Sequence, residues 1–236
     1  MRITQQAAFV LHARAWRETS LLLEVFSRDF GRVGLVARGV RGARARLPRS
    51  LLEPLQPLRM DWAGRGELAT LAAVEAAGVP QAFRGEALLS AMYVNELLVR
   101  LTARNDPHTW LFDRYGELLG ELSNTASLAW SLRCFERDLL AAVGYALQLE
   151  MTADTGEAIE VGGSYDYLPE SGAVAAGDHP DGVRVRGSAL HALVTGQRPE
   201  AQDMAALKRL MRNLIGRQVG LRGLQSWRVL ADPLRG

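Results

Sequence analysis

The sequence predicts an α+β protein in which a small β domain precedes an α-helical domain. Up to Gly78, short segments alternate apolar and polar residues, which is typical of strands with one buried face. After the Gly78-Val79-Pro80 break, apolar residues recur at the three- and four-residue spacing of helices. We therefore predict one domain at residues 1–79 and a second at 80–236.

The first domain is predicted to contain five short strands. They lie at residues 7–11, 21–26, 32–38, about 55–62 and about 67–75. The polar residues between the first two strands, His12 to Thr19, predict a loop. Five strands that close into a small barrel form an OB-fold, whose strand face and loops bind single-stranded nucleic acid. Other small barrels have the same number of strands.

The second domain is predicted to be built around one central helix. Its apolar residues cover most of the helix circumference, so we expect burial on nearly every side; they are Leu88, Leu89, Met92, Val94, Leu97, Leu98 and Leu101. Further helices are predicted after Asp106-Pro107, at 128–144, at 187–195 and from Asp203, which we interpret as an N-cap. Between them, residues 150–186 predict an irregular insertion without cysteine, in which residues 165–174 form a hairpin or a long loop.

Charge is distributed unevenly although the formal net charge is only +2. Residues 1–80 carry twelve arginines against seven acids, residues 81–181 carry six against sixteen, and residues 182–236 carry ten basic residues against three acids. Basic ends favour a polyanionic partner, and the acidic middle is left for packing or for a protein partner.

Arginine is most concentrated between Arg28 and Arg49, where seven arginines accompany one acid, Asp29. The second half of this stretch, from Gly39, has neither a helical nor a strand period. A guanidinium is permanently charged and offers a planar fork of donors that matches phosphate oxygens. We interpret the stretch as an anion-binding strand and loop; the alternative is a solvated loop that only keeps the protein soluble.

Candidate nucleic-acid contacts follow from this interpretation. Trp16 falls in the predicted first loop, where an indole can stack on a base; the competing interpretation is that it packs on the barrel wall. The candidate phosphate contacts are Arg14, Arg17, Arg32, Arg38, Arg41, Arg44, Arg46 and Arg49 in the first domain, and Lys208, Arg209 and Arg212 on the outer face of the last helix.

The sequence carries no signature of catalysis or of a metal site. The single lysine, Lys208, follows Leu207, which excludes a Walker A loop, and the four histidines never pair at ligand spacing. A lone cysteine, Cys134, forms neither an intramolecular disulfide nor a thiolate metal site. We expect no enzyme activity and no cofactor. With no secretory pattern and no apolar stretch of bilayer length, we expect a cytoplasmic, nucleoid-associated protein and no membrane partner.

The order of several motifs resembles the RecO family of bacterial recombination mediator proteins over nearly the whole chain. The motifs are Phe9-Val-Leu11, Arg14-Ala-Trp-Arg-Glu18-Thr-Ser20, Gly31-Arg32 with Ala37-Arg38-Gly39, Ser50-Leu-Leu-Glu-Pro54-Leu, Gly66-Glu-Leu68 leading to Glu75, Tyr93-Val-Asn95-Glu96-Leu97-Leu98, Asp106-Pro107-His108 with Leu111-Phe112, Arg133-Cys-Phe135-Glu136 and Gly144-Tyr145.

This resemblance implies a five-stranded N-terminal OB-fold β-barrel followed by an α-helical domain. It implies binding of single- and double-stranded DNA, annealing of complementary strands and, with RecR, loading of RecA onto DNA coated by single-strand-binding protein. The family binds the acidic C-terminal tail of that protein, for which the resemblance points to Arg133, with Arg137 beside it. We expect a monomer when the chain is alone.

The sequence departs from the family pattern at one place. Many relatives carry a four-cysteine zinc ribbon after the Gly-Tyr pair that matches Gly144-Tyr145, but residues 150–177 contain no cysteine. We therefore expect the zinc ribbon to be absent, with the segment held by packing or mobile. Two other functions stay open from the residues: an adaptor whose basic surface binds acidic protein tails, and an RNA-binding OB-fold protein.

Overall fold

The computed structural model describes residues 2–40, 47–64, 66–220 and 223–227. The candidate contacts Arg41, Arg44 and Arg46 lie outside the described residues. The chain divides into two compact units, one of residues 1–123 with the C-terminal residues from 224, the other of residues 124–223. The first unit therefore contains helices as well as the barrel. The predicted α+β fold, with a barrel before the helices, is confirmed.

The first unit contains a closed barrel of five strands in the order β1-β2-β3-β5-β4. Only β3 and β5 pair in parallel. The strands are β1 Arg2–Trp16, β2 Ser20–Ser27, β3 Gly31–Ala37, β4 Pro57–Ala63 and β5 Leu68–Ala76, with a short 3-10 helix at Arg49–Leu52 before β4. Inward side chains such as Val10, Leu23, Leu35 and Met60 are fully buried and fill the barrel.

The predicted loop from His12 to Thr19 is wrong for most of its length. Strand β1 continues to Trp16, which pairs with Ser20, so the turn spans only residues 17–19. The polar residues in this segment are the outward positions of a strand, and Ala13 between them packs against the barrel core. Because alanine is a weak apolar marker, the alternation was not visible in the sequence.

Two helices complete the first unit, α1 Gly85–Leu101 and α2 Thr109–Glu121. The expectation that α1 is buried on nearly every side is wrong, because Leu88, Leu89 and Met92 are each about two-fifths exposed. The helix contacts the barrel beside these residues, where Asn95 Nδ2 donates to the carbonyl of Leu11 at 3.0 Å.

The second unit combines three helices with a small sheet. Its elements are α3 Leu128–Ala142, β6 Ser164–Leu168, β7 Gly172–Ala175, β8 Val183–Arg186, α4 Gly187–Thr195 and α5 Ala201–Val219. The insertion at 150–186 is thus more regular than predicted, since it contains a three-stranded antiparallel sheet in the order β7-β6-β8. The predicted N-cap role of Asp203 is also wrong. Its carboxylate lies inside the first turn of α5 and accepts hydrogen bonds from Arg186 Nε and Ser188 Oγ.

A buried carboxylate joins the strands of this sheet. The side chain of Asp166 on β6 is 4% exposed and accepts hydrogen bonds from Arg184 Nε at 2.5 Å and from the backbone N–H of Gly177 at 2.9 Å. Arg184 also donates to the carbonyl of Gly177. The hydrogen bond from Arg184 is the main cause that lowers the pKa of Asp166.

We predict that Asp166→Asn destabilises the protein at neutral pH by about 1 to 2 kcal/mol, because the amide NH₂ cannot accept from Arg184 or Gly177. A carboxyl whose pKa is lower in the folded state stabilises the protein in full above its unfolded pKa of about 3.9. This contribution is lost as the pH falls from that value through the lower pKa of the folded state. Urea titrations at pH 7 and at about pH 3 measure both effects. Asp178→Asn, at an exposed position, is the control; equal losses at the two pH values would contradict the prediction.

Candidate nucleic-acid interface

The outer face of the barrel is ordered by the register of β1, β2 and β3. Trp16 lies opposite Ser20, and Arg14 lies opposite Leu22, which in turn faces Val36. Because Ala13 points to the core, the alternate residues Arg14 and Trp16 point outward. These positions form the upper part of the outer face, next to the β1–β2 turn.

Arginines collect at this upper part. Arg14, Arg17 and Arg38 are exposed, and Trp16 is half-buried. Arg17 has a φ of 53° in the tight turn, so it occupies the left-handed region. The turn lies beside the end of β3, because the N–H of Val40 donates to the carbonyl of Thr19 at 3.0 Å. The β1–β2 turn and the end of β3 therefore bring Arg14, Arg17 and Arg38 to one end of the barrel.

Val40, the last described residue before residues 41–46, lies at the same end of the barrel. Val40 is buried and Leu47 packs against the barrel core, so both flanks of this segment are anchored. The segment carries Arg41, Arg44 and Arg46. Arg49, which follows this segment, has its Nε 3.8 Å from Glu53 Oε1. Its side chain is 63% exposed, so the guanidinium is open to solvent.

The lower part of the same outer face is covered by the helices of the first unit. Phe9 and Phe26 are buried against Phe112 and Tyr115, with ring centroids 5.0 to 6.3 Å apart. At Gly31 the backbone is so close that a Cβ would lie 1.9 Å from the carbonyl oxygen of Asp106. No ligand reaches this part of the sheet while the helices are in place.

Arg32 is part of this covered region, which does not favour its interpretation as a phosphate contact; that role stays a prediction. Its side chain is 14% exposed and donates to Glu24 at 2.9 Å and to the carbonyl of Thr102 at 2.9 Å. Glu24 is also paired with Arg104. Three N–H donors of the guanidinium are thus used within the protein. The sequence placed Arg32 on the outward face correctly but did not reveal what covers it.

A second group of basic residues lies in the second unit. Lys208, Arg209 and Arg212 on α5 are all exposed, as their spacing predicted, while Leu207, Leu210 and Met211 are buried. This group is a basic helix face, and nothing in its geometry distinguishes a phosphate site from a solvated surface.

The two arginines predicted to meet a protein tail are also in the second unit, on α3. The side chain of Arg133 is only 9% exposed, and its guanidinium makes a two-pronged contact with Glu136. Arg137 donates to Asp138 at 2.8 Å and to the carbonyl of Leu193. Both arginines are therefore held by contacts within the protein; their role in binding a tail stays a prediction.

The described residues contain no group of three or more His, Cys, Asp and Glu side chains placed to hold a metal ion. None of their helices is long and apolar enough to cross a membrane.

A closed five-stranded barrel carried on helices, with a guanidinium-rich end, places the chain in the OB-fold class. The family model described as Recombination protein O N terminal matches residues 1–79, and the model described as Recombination protein O C terminal matches residues 82–228. The chain belongs to the RecO family of DNA repair and recombination proteins.

Curated relatives agree over the full length. A protein named DNA repair protein RecO from Stenotrophomonas maltophilia strain K279a is 43% identical over 233 residues, 98% of this chain and 97% of the relative. One of the same name from Nitrosococcus oceani is 45% identical over 237 residues, covering 100% and 95%. Another from Xanthomonas euvesicatoria pv. vesicatoria strain 85-10 is 42% identical over 241 residues, covering 100% and 99%.

We predict that Arg32→Ala lowers the free energy of unfolding by about 1 to 3 kcal/mol, because the buried carbonyl of Thr102 and one oxygen of Glu24 lose their donor. Arg38→Ala removes an exposed guanidinium from the same strand region and should leave the stability within about 0.5 kcal/mol. Urea unfolding of both variants measures the difference. Equal stability of the two variants would mean that Arg32 does not hold the helices on the barrel.

Proposed function

We propose that this chain binds single- and double-stranded DNA with the arginine-rich end of its barrel, anneals complementary strands and, with RecR, helps to load RecA onto DNA coated by single-strand-binding protein. The single observation that supports this most is the exposure of Arg14, Arg17 and Arg38 at one end. Within the described ranges, no carboxylate pairs with any of the three. Guanidinium groups without an acidic partner are available to phosphates.

The chemistry of this end suits a phosphate backbone better than a base sequence. Its basic side chains are arginines on a strand, a turn and a loop flank, with one acid, Glu18, in the same turn, and no helix of the described residues belongs to this end. Phosphate contacts give affinity without sequence information, and this electrostatic term supplies most of non-specific binding. We therefore propose binding of both strand forms with little sequence preference.

Annealing requires no catalytic group in this proposal. Duplex formation is downhill, so a protein needs only to reduce phosphate repulsion and to hold two strands close. The arginines at the barrel end supply the first requirement, and we propose that the basic face of α5, with Lys208, Arg209 and Arg212, contributes to the second. On this proposal the chain is not an enzyme and needs no cofactor.

We predict that the triple change of Arg14, Arg17 and Arg38 to alanine flattens the salt dependence of DNA binding. If each arginine meets one phosphate, the slope of log affinity against log salt should fall by about 2 units for a single strand and by nearly 3 for a duplex. Fluorescence anisotropy between about 50 and 300 mM salt measures the slope. The same loss is expected for the triple change of Arg41, Arg44 and Arg46.

The matched control removes exposed arginines from another part of the barrel. Arg2 and Arg59 are exposed on β1 and β4, and their double replacement by alanine should change the slope by less than one unit. If control and test variants lose the same slope, the proposal of a local site fails. If an acidic peptide binds the parent protein and DNA does not, the adaptor function replaces the one proposed here.

We further propose that the acidic C-terminal tail of single-strand-binding protein meets Arg133. In this proposal, a carboxylate of the tail replaces Glu136 as the partner of the Arg133 guanidinium. The buried pair with Glu136 supports it, because the guanidinium already binds a carboxylate there. Charge-assisted, two-pronged contacts of this kind are stronger than those between neutral groups. Arg137 lies one turn further along α3 and is held by Asp138, so we give it a supporting role.

Two variants with opposite expected effects test this. Arg133→Ala should weaken binding of a tail peptide by about ten-fold, since a tenfold change is about 1.4 kcal/mol. Glu136→Gln removes the competing carboxylate and should strengthen the same binding, because the guanidinium keeps its charge while its pairing with residue 136 becomes weaker. Isothermal titration calorimetry measures both, with unfolding curves as a check. Unchanged peptide affinity in both variants would reduce the pair to a structural role.

A further inference from the structure

The aromatic residues of the barrel are almost all committed to packing. Residues 1–79 contain five aromatic side chains, Phe9, Trp16, Phe26, Phe30 and Trp62. Phe9 and Phe26 lie beneath α2 on the covered part of the outer face. Phe30 packs edge to face on Trp62, with ring centroids 5.7 Å apart, and both belong to the barrel core. Only Trp16 is left on the open part of the sheet.

This distribution differs from what an OB-fold uses to hold a single strand. Such folds bind across the outer face of strands 2 and 3, and they stack successive bases on aromatic side chains. Here that face is divided: its lower half is sealed by Phe112, Tyr115 and the Gly31–Asp106 contact, and its upper half has one indole among arginines. A row of stacked bases has no platform.

We infer that this barrel takes a nucleic-acid strand by its phosphates and stacks a single unpaired base, on Trp16. The inference rests on the function proposed above and adds which part of the ligand is recognised. Arg14 lies on the same face of the same strand, Arg17 follows Trp16 in the chain, and Arg38 follows Ala37, the last residue of β3, which pairs with Leu21. The indole is therefore flanked by guanidinium groups that hold the phosphates on both sides of one nucleotide.

The ligand class follows from this geometry. A single strand offers an unpaired base at every position, and a duplex offers exposed base faces only at its ends or at a junction with a single strand. Internal duplex would be bound by the arginines alone. Base identity should matter little, because every base has a stacking face.

A strand without bases separates the phosphate contribution from the base contribution. We compare a thymidine 20-mer, which has no internal pairing, with a 20-mer of abasic residues that keeps every phosphate. For the parent protein, the abasic strand should bind about ten-fold more weakly, equivalent to about 1.4 kcal/mol. Trp16→Ala should weaken binding of the thymidine strand by the same factor. The variant should bind the abasic strand as tightly as the parent protein does.

Three further variants make the experiment decisive. Trp16→Phe keeps a ring and should retain most of the affinity for the thymidine strand, whereas Trp16→Leu keeps apolar packing and should behave like Trp16→Ala even if the alanine variant folds poorly. Trp110→Ala is the control, because Trp110 is 58% exposed on α2, away from the barrel strands. It should bind both strands as the parent does.

The alternatives are distinguishable. Equal binding of both strands by the parent protein would overturn the stacking of a base while leaving phosphate binding intact. A loss of a hundred-fold or more on the abasic strand would mean that several bases are stacked. A further loss when Trp16→Ala binds that strand would mean that Trp16 acts otherwise than by stacking a base. Either result would overturn the inference. If the parent binds neither strand, the proposed function itself fails.

Discussion

The contact between the helices and the outer face of the barrel is the constraint on which the rest of the first unit depends. Asn95 connects the two layers: its side chain donates to the carbonyl of Leu11 and accepts from Tyr115 Oη at 2.6 Å. Burial raises the pKa of Tyr115, so the phenol stays a neutral donor throughout the usual pH range. An amide in an apolar layer is tolerated only when its donors and acceptors are matched, and this pairing fixes the helix register on the strand.

The same contact sorts the arginines of the barrel into two groups. Arg32 and Arg104 share Glu24 beneath the helices, where each guanidinium compensates for desolvation by pairing. Arg14, Arg17 and Arg38 lie beyond the covered area and remain exposed. Sequence position does not distinguish the groups, since Arg32 and Arg38 flank one strand. What separates them is how far the helices extend over the sheet.

The sequence was sufficient to predict the fold class, the number of strands in the barrel and most helix positions, because these depend on local periodicity and turn residues. It failed where tertiary partners decide. The extension of β1 to Trp16 depends on pairing with Ser20, and the burial of Arg133 depends on Glu136 one turn away in a packed helix. The sequence indicated a helix cap at Asp203, because its partner Arg186 lies on a separate strand and does not show in the local pattern. In each case a residue was assigned to a loop, to solvent or to a helix terminus, because the pairing that decides its position is not visible in the local pattern.

A barrel with one free aromatic residue is better suited to annealing than one with a full stacking platform. Stacking on an aromatic side chain is worth about 1 to 3 kcal/mol per base, and a base-pair step in a duplex contributes about 1.4 kcal/mol on average. A protein that stacked every base would compete with the duplex at each step and would hold the strands apart. Arginine contacts to phosphates do not compete in this way, because the phosphates stay outside when the bases pair. On the proposed function, the helices that cover Phe9 and Phe26 would therefore leave the bases free to pair with their complements while the strand is still held.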